Sequence, residues 1–87
     1  MRFEWDHNKC KRNYALRGFD FINVNQFDWG GAKYALDERS DYCENRIIAT
    51  GLCRGRLTIL VFTWRGDRLR LISWRKANKR ETKRWEH

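Results

Sequence analysis

Residues 46–74, RIIATGLCRGRLTILVFTWRGDRLRLISW, contain three apolar segments separated by two turns that contain glycine. We interpret the segments Arg46–Cys53, Leu57–Trp64 and Arg68–Trp74 as three consecutive antiparallel strands. The middle segment is apolar on both faces, which predicts a central, buried strand. Gly66-Asp67 has its glycine first, as a type II′ hairpin turn requires, and Arg54-Gly55 forms the other turn.

The residues before this meander predict a strand followed by helices. Arg2–Trp5 alternates polar and apolar residues, as a short strand does. Asp6 is a candidate N-cap for a helix over Lys9–Leu16, which Gly18 ends. Phe19–Trp29 favours a second short helix, although its asparagines weaken that pattern.

The chain closes with a helix that begins near Asn78, where Asn78 and Glu81 match a capping box. Tyr34–Leu36 is a candidate edge strand. The predicted fold is α+β, with a single domain over residues 1–87. Its antiparallel sheet contains a three- to four-stranded meander and a short N-terminal strand, with two N-terminal helices and one basic C-terminal helix packed on it.

Regular alternation along the third strand of the meander predicts which side chains share a face of the sheet. One face is expected to carry Arg68, Arg70, Ile72 and Trp74, and the other Leu69, Leu71, Ser73 and Arg75.

Positive charge is concentrated at the C-terminal end of the chain. Residues 65–87 hold nine Lys and Arg against three acids, whereas residues 1–64 hold ten against eight. This basic segment retains leucine and tryptophan, so we expect folded basic surface rather than a disordered tail. Cations with aromatic residues nearby suit a phosphate polymer whose bases can stack, and RNA is therefore the first candidate partner.

Composition excludes several other classes of protein. Cys10, Cys43 and Cys53 form no C-x-x-C pair, so neither a disulfide framework nor a metal site is indicated, and no cofactor is implied. No apolar run approaches the roughly 20 residues of a membrane span, and the charged, aromatic N-terminus does not resemble a secretory signal. We expect a cytoplasmic protein with reduced thiols.

A set of motifs occurs in a fixed order over nearly the whole chain. Its members are Phe3-Glu4-Trp5-Asp6, Lys9, Asn13, Gly18, Phe21, Arg46, Gly51, Val61-Phe62-Thr63, Arg70-Leu71-Ile72-Ser73, Arg75-Lys76-Ala77 and Glu81. This order of motifs resembles the BrnT toxin family. The resemblance implies a RelE-like fold and the toxin half of a type II toxin–antitoxin module, which cuts RNA and is neutralised by a BrnA-type antitoxin. Contact with operator DNA is then expected only through the antitoxin.

The chain departs from the family pattern at the end of the first predicted helix. Relatives often read N-x-x-K-H-G there, whereas this chain has Leu16 in place of the lysine and Arg17 in place of the histidine. If that histidine moves protons in relatives, other groups must do so here.

RNA can be cut without a metal when its 2′-hydroxyl attacks the adjacent phosphorus, helped by a base, an acid and cations on the phosphoryl oxygens. Guanidinium groups suit the last task because they bind phosphate through paired hydrogen bonds. We therefore predict Arg70, Arg75, Lys9 and Glu4 as the catalytic residues. The alternatives are that the two arginines are a solvated residue and a strand-end cap, and that Glu4 pairs with nearby arginines.

Further side chains are predicted to bind RNA rather than to react with it. The C-terminal helix is basic over almost all of its surface, so it either follows RNA phosphates or meets an acidic antitoxin segment. Asn13 lies four residues after Lys9 on one helical face, although a structural helix-end role is equally open. The predicted RNA-binding residues are Asn13, Arg46, Lys76, Lys79, Arg80, Lys83 and Arg84.

Two other functions compete with the ribonuclease. A non-catalytic nucleic-acid-binding module, such as a decayed toxin, fits the substituted histidine position. A pure interaction protein fits a basic surface that serves only an acidic protein partner. The sequence leaves the RNA sequence preference, dependence on the ribosome, and stoichiometry with an antitoxin open.

Overall fold

A computed structural model describes residues 2–38 and 44–86, and Cys43 lies outside these ranges. The described residues form five strands, two α-helices and one 3-10 helix. The elements are β1 (Arg2–Trp5), α1 (His7–Arg17), the 3-10 helix (Phe21–Gln26), β2 (Lys33–Leu36), β3 (Arg46–Cys53), β4 (Arg56–Arg65), β5 (Arg68–Lys76) and α2 (Lys79–Trp85).

The strands form one sheet in the order β1-β5-β4-β3-β2. The predicted meander of β3, β4 and β5 is confirmed, with β2 antiparallel to β3 at one edge. The expectation of an antiparallel sheet is wrong at the other edge, where β1 runs parallel to β5. The sheet is therefore mixed, because α1 and the following elements carry the chain away before it returns. The second predicted helix is a single stretch of 3-10 helix.

Local sequence signals place the helix ends and the turns correctly. The Asp6 carboxylate accepts hydrogen bonds from two backbone amides of the first turn of α1, and Gly18 ends that helix in the left-handed region at φ 79°. Asn78 and Glu81 form the expected reciprocal capping box on α2. Gly66 has φ 63°, as the first turn residue of a type II′ hairpin requires.

A β-bulge in β5 changes which residues share a face. Phe62 pairs with Leu71 and Val61 pairs with Ser73, so Ile72 is the extra residue. Regular alternation stops there, and the face assignment from the sequence is wrong beyond it. Trp74, fully buried, joins Leu69 and Leu71 on the core face, and Arg75 lies on the same face as Arg70.

The core lies on the side of the sheet covered by α1 and the 3-10 helix. Phe21, Val24 and Phe27 pack there against buried strand residues. Phe27 makes an edge-to-face contact with Trp74 at 6.4 Å between ring centroids, and the Trp74 indole donates a hydrogen bond to buried Thr58 over 3.1 Å. Within the described ranges, no helix has the length and apolar character needed to cross a membrane. We call the opposite face of the sheet the outer face, and α2 contacts one end of it through Arg75 and Glu81.

Candidate nucleic-acid interface

A row of polar and charged side chains crosses four strands on the outer face. Glu4 of β1 is in register with Arg70 of β5, Arg70 with Thr63 of β4, and Thr63 with Arg46 of β3. Residues in register across a sheet project to the same side. The sheet therefore brings Arg70 and Arg46, 24 positions apart in the sequence, to one surface.

Glu4 orients two of the arginines on this surface. Its Oε2 accepts a hydrogen bond from Arg70 Nη1 over 2.8 Å, and its Oε1 lies 3.6 Å from Arg68 Nη1. The hydrogen bond from Arg70, together with the charges of nearby arginines, lowers the pKa of Glu4 below its ordinary value of 4.5. A carboxylate held as an anion in this way is a weak general base, and its contacts suit positioning of Arg70.

Glu44 bridges a second pair of arginines in the same manner. Its Oε1 lies 3.5 Å from Arg46 Nε and its Oε2 lies 3.5 Å from Arg65 Nη2. Two carboxylates, Glu4 and Glu44, thus each contact two guanidinium groups on this face. Pairing fixes the orientation of long side chains that would otherwise lose entropy on binding a phosphate.

The bulge residue lies in a shallow depression where α1 approaches the strands. We call this surface the cationic depression, and it is lined by Lys9, Arg12, Asn13, Leu16, Arg17, Arg46 and Ile72. Four of its seven side chains are cationic. Among the described residues, Lys9, Arg12 and Arg17 form no ion pair within 4.0 Å. Such a concave cationic surface attracts a phosphate backbone.

The first turn of α1 connects this depression to the Arg70 end of the row. Hydrogen bonds from the backbone amides of Lys9 and Asn8 to the Asp6 carboxylate lower its pKa below 3.8, and the positive charges of Lys9 and Arg70 lower it further. Asp6 therefore lies near enough to both Lys9 and Arg70 for each charge to act on its carboxylate.

Asn13 is the predicted RNA-binding residue with the least access to a ligand. It is buried, and its Nδ2 donates to the carbonyl oxygens of Phe19 and Trp74, each over 2.9 Å. Its Oδ1 accepts from the Trp74 amide over 3.1 Å. The side chain thus satisfies backbone groups of β5 beyond the end of β1, as a neighbouring strand would. This geometry favours a structural role.

Arg75 lies on the outer face but at its other end, beneath α2. It donates two parallel hydrogen bonds of 2.8 Å to the two carboxylate oxygens of Glu81. These bonds, followed by the bond from the Asn78 amide, lower the pKa of Glu81 below 4.5. Arg75 therefore attaches α2 to the sheet, whereas Arg70 lies with the other arginines.

The basic residues of α2 face solvent, and the helix buries none of its residues. The Trp85 side chain is partly buried, and the Lys33 ammonium lies over its ring, 4.9 Å from the centroid. This cation–π contact links α2 to the edge strand β2. Of the predicted RNA-binding residues here, Lys76, Lys79 and Lys83 line one shallow surface, Arg84 faces β2, and Arg80 is exposed.

Sequence reasoning missed Arg12 and the contribution of Arg17 to the site. The missed signal is periodic, because the five α1 residues of the cationic depression follow the spacing i, i+3, i+4, i+7, i+8 of one helical face. Ile72 had no such signal. Within the described ranges, no group of three or more His, Cys, Asp or Glu side chains is placed to hold a metal ion. The predicted residues that line the depression are Lys9, Asn13 and Arg46.

Comparison with known proteins gives one informative match. A family model described as "Ribonuclease toxin, BrnT, of type II toxin-antitoxin system" matches residues 5–81. The matched region includes the cationic depression and the Arg70, Thr63 and Arg46 members of the outer-face row, whereas Glu4 lies one residue before it. A search of curated proteins found no match.

Proposed function

Because the chain belongs to the BrnT family of ribonuclease toxins of type II toxin–antitoxin systems, we propose that it cleaves RNA on the outer face, between the cationic depression and Arg70. The observation that carries this proposal is the convergence of Lys9, Arg12, Arg17 and Arg46 around one concavity. Arg70 belongs to the register row that contains Arg46.

The proposed reaction needs no metal ion. The 2′-oxygen attacks the adjacent phosphorus, the bond from phosphorus to the 5′-oxygen breaks, and a 2′,3′-cyclic phosphate and a 5′-hydroxyl result. Negative charge grows on the phosphoryl oxygens as the bond to the 2′-oxygen forms. Preorganised guanidinium groups of Arg46 and Arg70 stabilise that charge without reorienting.

Lys9 is the proposed proton donor to the leaving 5′-oxygen. The other three cations of the depression are arginines, and a guanidinium does not release its proton in proteins. Glu4 is reassigned from a base to a positioning residue, since its low pKa and its contact with Arg70 favour orientation of the guanidinium. The proton of the 2′-hydroxyl passes to solvent in this scheme.

An antitoxin partner follows from the family, and we propose that it is of the BrnA type and covers α2. Lys79, Arg80, Lys83 and Arg84 are exposed and form no ion pair within 4.0 Å among the described residues. An acidic segment laid along this helix gains four charge contacts. Arg75 and Glu81 hold the helix in place for that contact.

The experiment is cleavage of a defined single-stranded RNA in EDTA by the wild-type chain and by Arg70→Ala, Arg46→Ala and Lys9→Ala variants. Loss of a charge-stabilising arginine is expected to lower kcat by about 10²–10³, and loss of the proton donor Lys9 by about 10²–10⁴. Lys11→Ala is the matched control, because Lys11 is exposed on α1 but does not line the depression. Cleavage that requires a divalent metal, or equal loss in the control, would contradict the proposal.

A specific observation also supports the non-catalytic alternative. Leu16 and Arg17 stand where relatives often have lysine and histidine, and both line the cationic depression. The departure from the family pattern therefore lies within the proposed site. If the wild-type chain binds RNA without cutting it and Leu16→Lys/Arg17→His cuts it, the chain is a binding module derived from a ribonuclease.

A further inference from the structure

A second concavity lies on the other side of the C-terminal half of α1. It is bounded by the end of α1, the 3-10 helix and the turn between β3 and β4, and buried Trp74 forms part of its floor. Its volume is about 240 Å³, below the roughly 300–1,000 Å³ of pockets for drug-sized ligands. A cleft of this size suits one flat ring system rather than a larger ligand.

The side chains around this cleft combine three kinds of chemistry. Tyr14 contributes an aromatic ring with 58% of its surface exposed. Asn23 and Gln26 contribute amides, and because they are three residues apart on a 3-10 helix they project to one side. Arg54 and Arg56 contribute guanidinium groups at the turn.

These five side chains are not used to hold the protein together. Among residues 2–38 and 44–86, none of them forms a side-chain hydrogen bond or an ion pair. The acidic residue that lines the cleft, Asp20, is engaged locally, since its Oδ1 accepts from the Ile22 amide over 3.1 Å and from Cys10 Sγ over 3.4 Å. The donors and acceptors that face the cleft are therefore available to a ligand.

Both guanidinium groups act on the floor of the cleft. Burial raises the pKa of the Cys53 thiol, and the positive charges of Arg54 and Arg56 oppose that rise. Arg54 has φ 53°, the left-handed conformation that holds it in the tight turn. Arg54 and Arg56 thus line the same cleft that the amides and the tyrosine border.

From this arrangement we infer a nucleobase subsite for single-stranded RNA, in which an unpaired base stacks on Tyr14 and its edge bonds to Asn23 and Gln26. Arg54 and Arg56 contact the adjoining phosphate. Proteins read single strands through stacking on aromatic rings and amide bonds to base edges, which a duplex hides. The inference rests on the proposed ribonuclease function for its choice of RNA as the ligand.

The position of the subsite relative to the cationic depression supports one continuous strand. Tyr14 of α1 and Gly18, which follows its last residue, border the cleft, whereas Arg12, Leu16 and Arg17 border the depression. A helix with its side chains is about 10–12 Å across, so the two concavities flank one helix end. An RNA strand that passes over this end places its cleaved bond in the depression and a nearby base in the cleft.

The test measures affinity separately from cleavage, with a 2′-O-methyl single-stranded oligoribonucleotide that lacks the attacking hydroxyl. Asn23→Ala/Gln26→Ala and Tyr14→Ala are compared with Asn25→Ala, which alters an exposed residue of the same 3-10 helix that does not line the cleft. We expect about ten-fold weaker binding for the first two variants, and unchanged binding for the control. Affinity for a duplex of equal length should change less than about two-fold in all three.

The outcomes separate this inference from the proposed function. If Asn23→Ala/Gln26→Ala binds the single strand as tightly as Asn25→Ala, the subsite is wrong, even when the unmodified RNA is still cut. An equal loss of affinity for single strand and duplex also overturns the inference. Such a loss would arise from a general change in charge or folding rather than from a lost contact with an unpaired base. If cleft-dependent binding is present but unmodified RNA is not cut, the ribonuclease proposal fails and the subsite stands.

Discussion

The Asn13→Ala substitution tests whether this side chain completes the sheet. Its removal leaves the N–H and C=O of Trp74 without their partner, both in a buried environment. Each unsatisfied buried backbone group costs about 1–3 kcal/mol, and the better helix propensity of alanine returns about 0.5 kcal/mol. The two groups together cost about 2–6 kcal/mol, so the expected net loss is roughly 1.5–5.5 kcal/mol.

That loss is large for a chain of this size. A domain of 87 residues has a free energy of unfolding of about 4–13 kcal/mol at 0.05–0.15 kcal/mol per residue. With about 4–8 °C of Tm for each kcal/mol, Asn13→Ala should lower Tm by at least about 6 °C and by as much as roughly 40 °C. Urea denaturation followed by circular dichroism, with an unchanged m value, measures the difference directly.

Two comparisons make the result decisive. Asn25→Ala, an exposed substitution on the 3-10 helix, should change the free energy of unfolding by less than about 0.5 kcal/mol. Asn13→Asp keeps the acceptor for the Trp74 amide but places a negative charge against the carbonyl oxygens of Phe19 and Trp74, so it should be no better tolerated than alanine. A stable Asn13→Ala variant that has lost RNA affinity would refute the structural assignment and restore the prediction that Asn13 binds RNA.

Three further results follow from the same contacts. The folded-state pKa of Glu81 lies below its ordinary value of 4.5, so the unfolded state binds more protons and stability falls as pH drops below about 5. Urea denaturation at pH 5 and at pH 3 should therefore show a smaller loss of unfolding free energy between the two pH values for Glu81→Gln than for the wild-type chain. Burial raises the thiol pKa values of Cys10 and Cys53. In a Cys43→Ser variant, the native protein should therefore react slowly with a thiol reagent at neutral pH and rapidly in denaturant. Equal reaction rates in the two conditions would contradict the burial of these thiols. Gly51→Ala should destabilise the protein by about 1–3 kcal/mol, because the new methyl group would lie 2.7 Å from Cζ of the Phe27 ring. Thermal unfolding measures this loss of stability. An unchanged Tm would show that the Phe27 ring moves aside.

The candidate site was only partly predictable, and particular residues show why. Lys9 and Arg46 were predicted from the family resemblance, and the structure places both in the cationic depression. Arg12 escaped notice although it lies three residues after Lys9 on the same helical face. Arg75 was grouped with Arg70 by chemistry, but its partner is Glu81, six residues later in the chain. Which arginine acts on a ligand depends on which carboxylate it already contacts.

The sequence alone determined the features that rest on neighbouring residues. Asp6, Asn78 and Glu81 mark helix starts because capping bonds span two or three residues. The Gly66-Asp67 turn and the meander follow from local turn chemistry and alternating side chains in the same way.

Only the tertiary structure decided the faces of β5. The bulge at Ile72 arises from the register between β4 and β5. That register cannot be predicted from the β5 sequence RLRLISWRK by itself. It turns Trp74 into the core and Arg75 to the outer face, which reverses the arrangement that alternation predicts. The parallel pairing of β1 with β5 depends likewise on residues more than 60 positions apart. Packing of the core selects one register for these strands. Burial of the Trp74 side chain stabilises that register more than regular alternation along β5 stabilises another.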